Sequence, residues 1–316
     1  MKKNKKNIKI YLAGHTGMVG SSILKLLKEK NYKKIYFKKS KDLDLINQKK
    51  TLEYITKIKP DIVIIAAAKV GGIFANMSQK ANFLYENMMI QNNIIHSAYK
   101  VGVKKLILLG SSCIYPKHSK QPIKEKYLLT SSLEDTNDAY AIAKISGVKM
   151  CETYSKQYNV NYISLMPTNL YGPGDNYDSR YSHFFPALIK KVFLAKKRNK
   201  KEIILWGNGK AKRELMFVDD LANACEFFIK KNCKDSIINI GTGNEKSIYD
   251  YAKFISKKLK YKLNIKYDRS KPNGTPRKLL DSRLAKSYGW KPKFNLDRGF
   301  SLTYKDFLKK LSIKKN

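Results

Sequence analysis

The chain has 316 residues, 43% of them hydrophobic, enough for one large unit with a smaller one sharing its interface. No apolar run approaches the roughly 18 residues of a membrane span, and the apolar stretch behind the basic N-terminus ends at Leu12, too early for a signal peptide. The formal charge of +39 invites a nucleic-acid reading, but 57 of the 64 basic residues are Lys, spread along the whole chain, whereas base and phosphate readers lean on Arg forks.

The charge is therefore read as a solvated lysine surface with a general attraction for anions, and no specific nucleic-acid partner is expected. A cytoplasmic location follows. Cys113, Cys151, Cys225 and Cys233 show no paired metal spacing and read as reduced thiols, so no metal is expected.

In chain order, strand-like runs at Ile8 to Ala13, Lys34 to Phe37, Ile62 to Ala66, Lys105 to Leu109 and Tyr162 to Leu165 alternate with helical stretches such as Gly17 to Lys30 and Ala81 to Val101. This alternation predicts an α/β fold, a Rossmann-like doubly wound parallel sheet. After about residue 170 the pattern loosens, with Gly and Pro gathered in NLYGPGDNY, WGNGK and KPNGTPRK. The expected division is a nucleotide-binding domain over residues 1–172 and a smaller C-terminal α/β domain over 173–316 that mainly binds substrate. The chain is expected to cross back to the first domain near 210–245.

Between the first strand and the first helix lie Gly14, His15, Thr16, Gly17, Met18, Val19 and Gly20, a GxxGxxG pattern. Glycines there let the backbone approach a pyrophosphate, and the helix N-terminus supplies N–H groups and the positive dipole end. An NAD enzyme would carry a carboxylate at the tip of the second strand; here Lys38, Lys39, Ser40 and Lys41 follow it. That cationic tip favours the extra phosphate of NADP. Asp42 and Asp44 come slightly later, where one could reach the adenine.

Tyr140 and Lys144 form a YxxxK pair, one face of a helix at i and i+4. The ammonium is expected to lower the phenol toward a useful range for proton transfer, and it could also hold a nicotinamide ribose. Ser111, at the carboxyl end of a strand, would hydrogen-bond the carbonyl that is reduced. Two residues on stands Cys113, which taken alone fits packing as well as chemistry.

Together these residues resemble the extended short-chain dehydrogenase/reductase family that acts on nucleotide sugars. The segments AAAKVGGI, LGSSCIYPK, YAIAK, MPTNLYGPGDN, SHFFPALIKK, KRELMFVDDLA and KPNGTPRKLLD narrow the resemblance to its GDP-L-fucose synthase branch, over nearly the whole chain. That resemblance implies inversion of GDP-4-keto-6-deoxy-D-mannose at C3 and C5, followed by reduction at C4 with NADPH. It implies that Cys113 is the base and His183 the acid, with Ser111, Tyr140 and Lys144 acting at the C4 oxygen. A thiol and an imidazole suit such work because their ordinary pKa values, about 8.5 and 6.5, bracket neutrality.

The same resemblance adds Pro167, Thr168, Asn169, Leu170 and His183 to the NADP contacts. For the GDP moiety it points to Lys191, Trp206 and Arg213, and more weakly to Arg277. It also implies a homodimer paired through the helices at Ala81 to Val101 and Ala139 to Tyr158. Thr16 and Asn273 depart from the branch, which often shows Arg and Asp there. A related nucleotide-sugar epimerase, dehydratase or C4 reductase acting on another GDP-4-keto sugar such as a heptose stays open as the alternative, and His96, His118 and the other three cysteines read as structural.

Overall fold

The computed structural model describes residues 5–178, 182–271 and 273–313; of the motifs above, only Pro272 in KPNGTPRKLLD falls outside them. The chain begins β1 (Lys9–Ala13), α1 (Met18–Glu29), β2 (Lys34–Tyr36), α2 (Gln48–Ile58), β3 (Ile62–Ile65), α3 (Ile73–Ser78) and α4 (Lys80–Lys100). It continues through β4 (Lys105–Leu109), α5 (Asp138–Tyr158), β5 (Asn161–Pro167), β6 (Asn169–Tyr171), α6 (Phe184–Lys197), β7 (Glu202–Trp206) and β8 (Lys212–Phe217). Last come α7 (Val218–Ile229), β9 (Ile237–Ile240), β10 (Glu245–Ser247), α8 (Ile248–Lys258), β11 (Asn264–Asp268), β12 (Arg277–Lys278), α9 (Arg283–Ser287) and α10 (Leu296–Ile313).

Six strands form a parallel sheet in the order β2-β1-β3-β4-β5-β9. Its inner strands are mostly apolar, as a sheet covered on both faces requires. Alternation along each strand splits the core in two. Ile10, Leu12, Ile64 and Leu165 pack with α1 and α7 on one face, while Tyr11, Val63, Leu106 and Leu108 pack with α4 and α5 on the other. Each fully buried aliphatic side chain contributes about 1.5–3 kcal/mol.

The five strands anticipated from sequence are present, Lys105–Leu109 with the expected bounds and the others with shifted ends, the fifth running to Pro167. The sixth, β9, was not among the candidate strands, although it lies within residues 210–245, where the chain was expected to cross back. It brings the chain back to the sheet after β7 and β8, and a third core around Phe185, Ile189, Leu205, Phe217, Ile255 and Phe307 joins the later elements. No described helix is long and apolar enough to cross a membrane.

Strand parity governs what this later part offers the site. On the small sheet around β8, Lys212 aligns with Ser247 and Arg277, while Arg213 aligns with Lys246 and Lys278. Neighbours in register share a face, so Arg213 and Lys278 project together, and Lys212 and Arg277 project the other way. In the β7–β11 ribbon the same rule puts Trp206 and Tyr267 on opposite faces, because Tyr267 aligns with Leu205.

Candidate active site

The topological switch of the main sheet lies between β1 and β3, where doubly wound folds bind nucleotides. Gly14 has φ +86°, and a Cβ there would stand 2.5 Å from the Ala67 nitrogen; one on Gly20 would stand 2.0 Å from the Gly14 oxygen. Gly17 caps α1 without a side-chain bond, and a Cβ on it would meet nothing nearer than 3.7 Å. The bare helix end therefore faces open space, as a diphosphate cradle requires.

His15 is buried in that loop against the ring of Phe37, with centroids 4.4 Å apart, and its Nδ1 has no hydrogen-bond partner among the described residues. Burial, and then the charge of Lys39, hold its imidazole below the ordinary value. Lys38, Lys39 and Lys41 are exposed just past β2, and Thr16 is exposed beside His15. The loop, its orphaned imidazole nitrogen and its cations fit a phosphorylated dinucleotide. Met18 and Val19 open α1, half-buried. Across the cleft, Pro167 ends β5, and Thr168 and Asn169 both donate to the Glu214 carbonyl, at 3.2 and 3.0 Å, beside Leu170.

At the end of the fully buried β4, Ser111 caps a single 3-10 turn, and its Oγ accepts from the Cys113 N–H at 3.3 Å. Cys113 is 7% exposed. Burial pushes its thiol up, while the Lys278 ammonium, the Ser111 bond and the Lys144 ammonium pull it down. Lys144 is 3% exposed and donates to the Leu109 carbonyl at 2.9 Å, with Nζ 5.9 Å from the centre of the Tyr140 ring.

One sequence expectation is corrected here. Lys144 does not lower the phenol: burial, followed by Cys113, raises Tyr140 well above its ordinary value, and burial brings Lys144 itself down to about 8. The phenol is therefore protonated across the neutral range.

His183 caps the N-terminus of α6 without a side-chain cap bond and is exposed. Crowding by surrounding protein, and then the charge of Lys278, keep its imidazole below the ordinary value. Cys113 and His183, 70 positions apart in the sequence, thus lie within electrostatic reach of one ammonium.

Lys191 is half-buried and donates to the Ile204 carbonyl at 2.5 Å, and burial lowers its ammonium. Trp206 is 47% exposed, with the Lys271 ammonium 6.0 Å from its ring. Arg213 is half-buried and brought down to about 10 by burial, against the opposing charge of Glu134. Arg277 departs from expectation: its Nε and Nη2 hold Glu245 at 2.8 and 2.7 Å on the face away from Arg213. The cleft side of β12 is Lys278, which the motif reading passed over although it stands one residue along in PRK.

Glu134 was also missed. It is 7% exposed, one of its oxygens lacks a hydrogen-bond partner among the described residues, and its charge acts on both Arg213 and Lys278. Asn273 Oδ1 accepts from the Asn208 N–H at 2.8 Å, so the amide that departs from the branch closes a turn. His96 bonds the Tyr154 hydroxyl at 2.8 Å and His118 is exposed. Cys151 and Cys225 are buried with thiols pushed up to about 12, and Cys233 is buried as well.

Residues 10–241 match the model of the NAD dependent epimerase/dehydratase family. GDP-L-fucose synthase 1 of Arabidopsis thaliana is 47% identical over 304 residues, covering 96% of this chain and 94% of that protein. GDP-L-fucose synthase of Escherichia coli K12 is 43% identical over 309 residues, covering 95% and 96%. Among solved structures, a GDP-mannoheptose C4 reductase from Campylobacter jejuni with NADP bound superposes with a TM-score of 0.87, at 34% identity over 96% of this chain and 99% of that one. With its glycine loop, YxxxK helix and Ser-Ser-Cys turn gathered at the switch point, the chain belongs to the NAD-dependent epimerase/dehydratase family and, within it, to the GDP-L-fucose synthases.

Proposed function

We propose that the protein converts GDP-4-keto-6-deoxy-D-mannose to GDP-L-fucose, inverting C3 and C5 and then reducing the C4 ketone with NADPH. The observation that carries this reading is the turn at the end of β4, where the Ser111 Oγ accepts from the Cys113 N–H at 3.3 Å and sets a thiol beside the hydroxyl, in a chain 47% and 43% identical to two GDP-L-fucose synthases.

C3 and C5 are both α to the ketone, so loss of either proton places charge on the C4 oxygen. The Cys113 thiolate takes the proton, and the C–H electron pair moves into the bond toward C4. Ser111 and Tyr140 hydroxyls hold the resulting enolate oxygen. The His183 imidazolium returns a proton to the same carbon from the opposite face, and both groups then recover their starting states with water. In the second stage Tyr140 gives its phenolic proton to the same oxygen, with Lys144 fixing the local field.

When bound, NADPH supplies the hydride for C4. Gly14 to Gly20 would hold its diphosphate, Lys38, Lys39 and Lys41 its extra phosphate, and Lys144 with Pro167 to Leu170 its nicotinamide end. Lys191 and Arg213 suit the GDP diphosphate and Trp206 its base. Tyr85 and Ile142, 59% and 48% exposed on α4 and α5, support a homodimer through those helices. A cytoplasmic site of action suits a nucleotide-sugar substrate.

A second reading, a C4 reductase of a GDP-heptose, is favoured by the 34% identity to such an enzyme. Incubation with GDP-4-keto-6-deoxy-mannose in heavy water separates them. Deuterium at C3 and C5 without NADPH, and GDP-fucose with it, is the expected result; reduction without deuterium at either carbon would sink the first reading.

A further inference from the structure

A cavity of about 740 Å³ opens beside the turn between β7 and β8, apart from the catalytic cleft. Strand parity sets it behind the cleft wall. Lys212 lines it while Arg213 projects the other way, and Tyr267 lines it while Trp206 stands on the opposite face of the β7–β11 ribbon. The turn is closed by Asn273, whose Oδ1 accepts from the Asn208 N–H at 2.8 Å. A Cβ on Gly209 would stand 2.6 Å from Cε1 of Tyr267, so the ring is laid against the turn, and it remains 41% exposed.

The lining holds Lys210, Lys212 and Arg269 and no carboxylate. Among the described residues none of the three cations has an acid within ion-pair distance. The acids nearby in the chain are engaged elsewhere: Glu245 holds Arg277, Asp250 closes the capping box with Ser247, and Asp268 accepts from the Ser270 hydroxyl at 2.6 Å. A solvated lysine surface explains scattered cations, but not three around one concavity that acids leave alone. Such a concavity focuses positive potential and draws anions into it. Its volume is that of a small-molecule site, and Tyr249 and Tyr267 add aromatic surface for a ring.

We propose that this cavity is a second nucleotide site, in which the three cations take the phosphates of a nucleoside diphosphate and Tyr267 stacks on its base. A nucleic-acid strand would need a groove running on past one nucleotide, with a further aromatic platform for each base. Occupancy of this site does not depend on the reaction assigned to the cleft.

Calorimetry with GDP on the full chain tests it, in the parent, in Arg213→Met, which weakens the cleft, and in a variant joining Lys210→Ser, Lys212→Ser and Arg269→Ser. The parent should show two sites per chain. Arg213→Met should weaken one and spare the other. The triple variant should do the reverse, weakening the second site at least about thirtyfold, and Tyr267→Ser should weaken it about tenfold. All three cations are exposed, so these variants should fold; NADPH binding reports it, and Lys212→Glu serves should the triple variant fail. Fewer than two sites, with any that is present lost in Arg213→Met, overturns the proposal. So does a second site that survives the triple variant, or one from which inorganic phosphate or a single-stranded oligonucleotide displaces GDP at equal concentration. Loss of all GDP binding in the triple variant, with Arg213→Met unaffected, would sink the assignment of GDP to the cleft while upholding the second site.

Discussion

Tyr140 and Lys144 stand one helical turn apart, yet the lysine gives its hydrogen bond to the Leu109 carbonyl and leaves the phenol protonated. An ammonium at 3% exposure, held down to about 8, is a cost to the fold at neutral pH. Because its folded pKa lies below the ordinary 10.4, stability should rise as pH climbs from about 8 toward 10.4 and the buried charge is relieved. Lys144→Met should melt no lower than the parent at pH 7, lack that rise, and bind NADPH at least tenfold more weakly. Melting curves across pH and a fluorescence titration check this; a large drop in melting temperature at pH 7 would contradict it.

The acid/base pair has an inverted protonation order. Cys113 is raised and His183 lowered, so the competent thiolate–imidazolium pair is a small fraction whose size is constant between the two values. Exchange in heavy water without NADPH should be flat across neutral pH. It should fall on the acid side below the ordinary histidine value and on the alkaline side above the ordinary thiol value. His183→Gln should cost about 10²–10⁴ in exchange, and Cys113→Ser as much, the latter with NADPH binding intact.

Arg213 and Arg277 should behave oppositely. Arg213→Met removes a half-buried guanidinium from the cleft and should weaken GDP binding by about 2–3 kcal/mol, with Lys a poor substitute. Arg277→Met breaks an ion pair whose guanidinium is exposed and whose carboxylate is mostly covered, and should change stability by about 1 kcal/mol and binding hardly at all. Calorimetry with GDP on both variants tests the contrast.

Replacing Lys38, Lys39 and Lys41 together by Ser should erode the preference for NADPH over NADH by about tenfold or more, each lost cation weakening its hold on the extra phosphate. The ratio of kcat/KM values for the two cofactors is the measurement, and an unchanged ratio would move the selectivity to His15 or its surroundings.

Much of this was legible in the sequence because it is local. Gly14, Gly17 and Gly20 announce a strand-to-helix turn, and Tyr140 with Lys144 announces a helix face. Ser111 and Cys113 lie directly after an apolar strand. What was not legible depends on pairing between distant segments. Whether Arg277 or Lys278 faces the cleft is decided by the register of β12 on β8, a two-valued choice that spacing alone does not reveal. Glu134 escaped notice because an acid ahead of a helix reads as a cap until Arg213 and Lys278 are seen opposite it. The phenol was misjudged for a similar reason: charge is written in the chain, but burial is not.

Glu214 is wholly buried, and its carboxylate gathers the backbone N–H groups of Thr242, Gly243 and Leu280 while its own carbonyl receives Thr168 and Asn169. One residue, through its carboxylate and its carbonyl, thereby ties four passages of the chain together. Neither wall can swing far without tearing that knot, so heat should dismantle both in a single cooperative step, and admission of substrate must rely on loops at the rim.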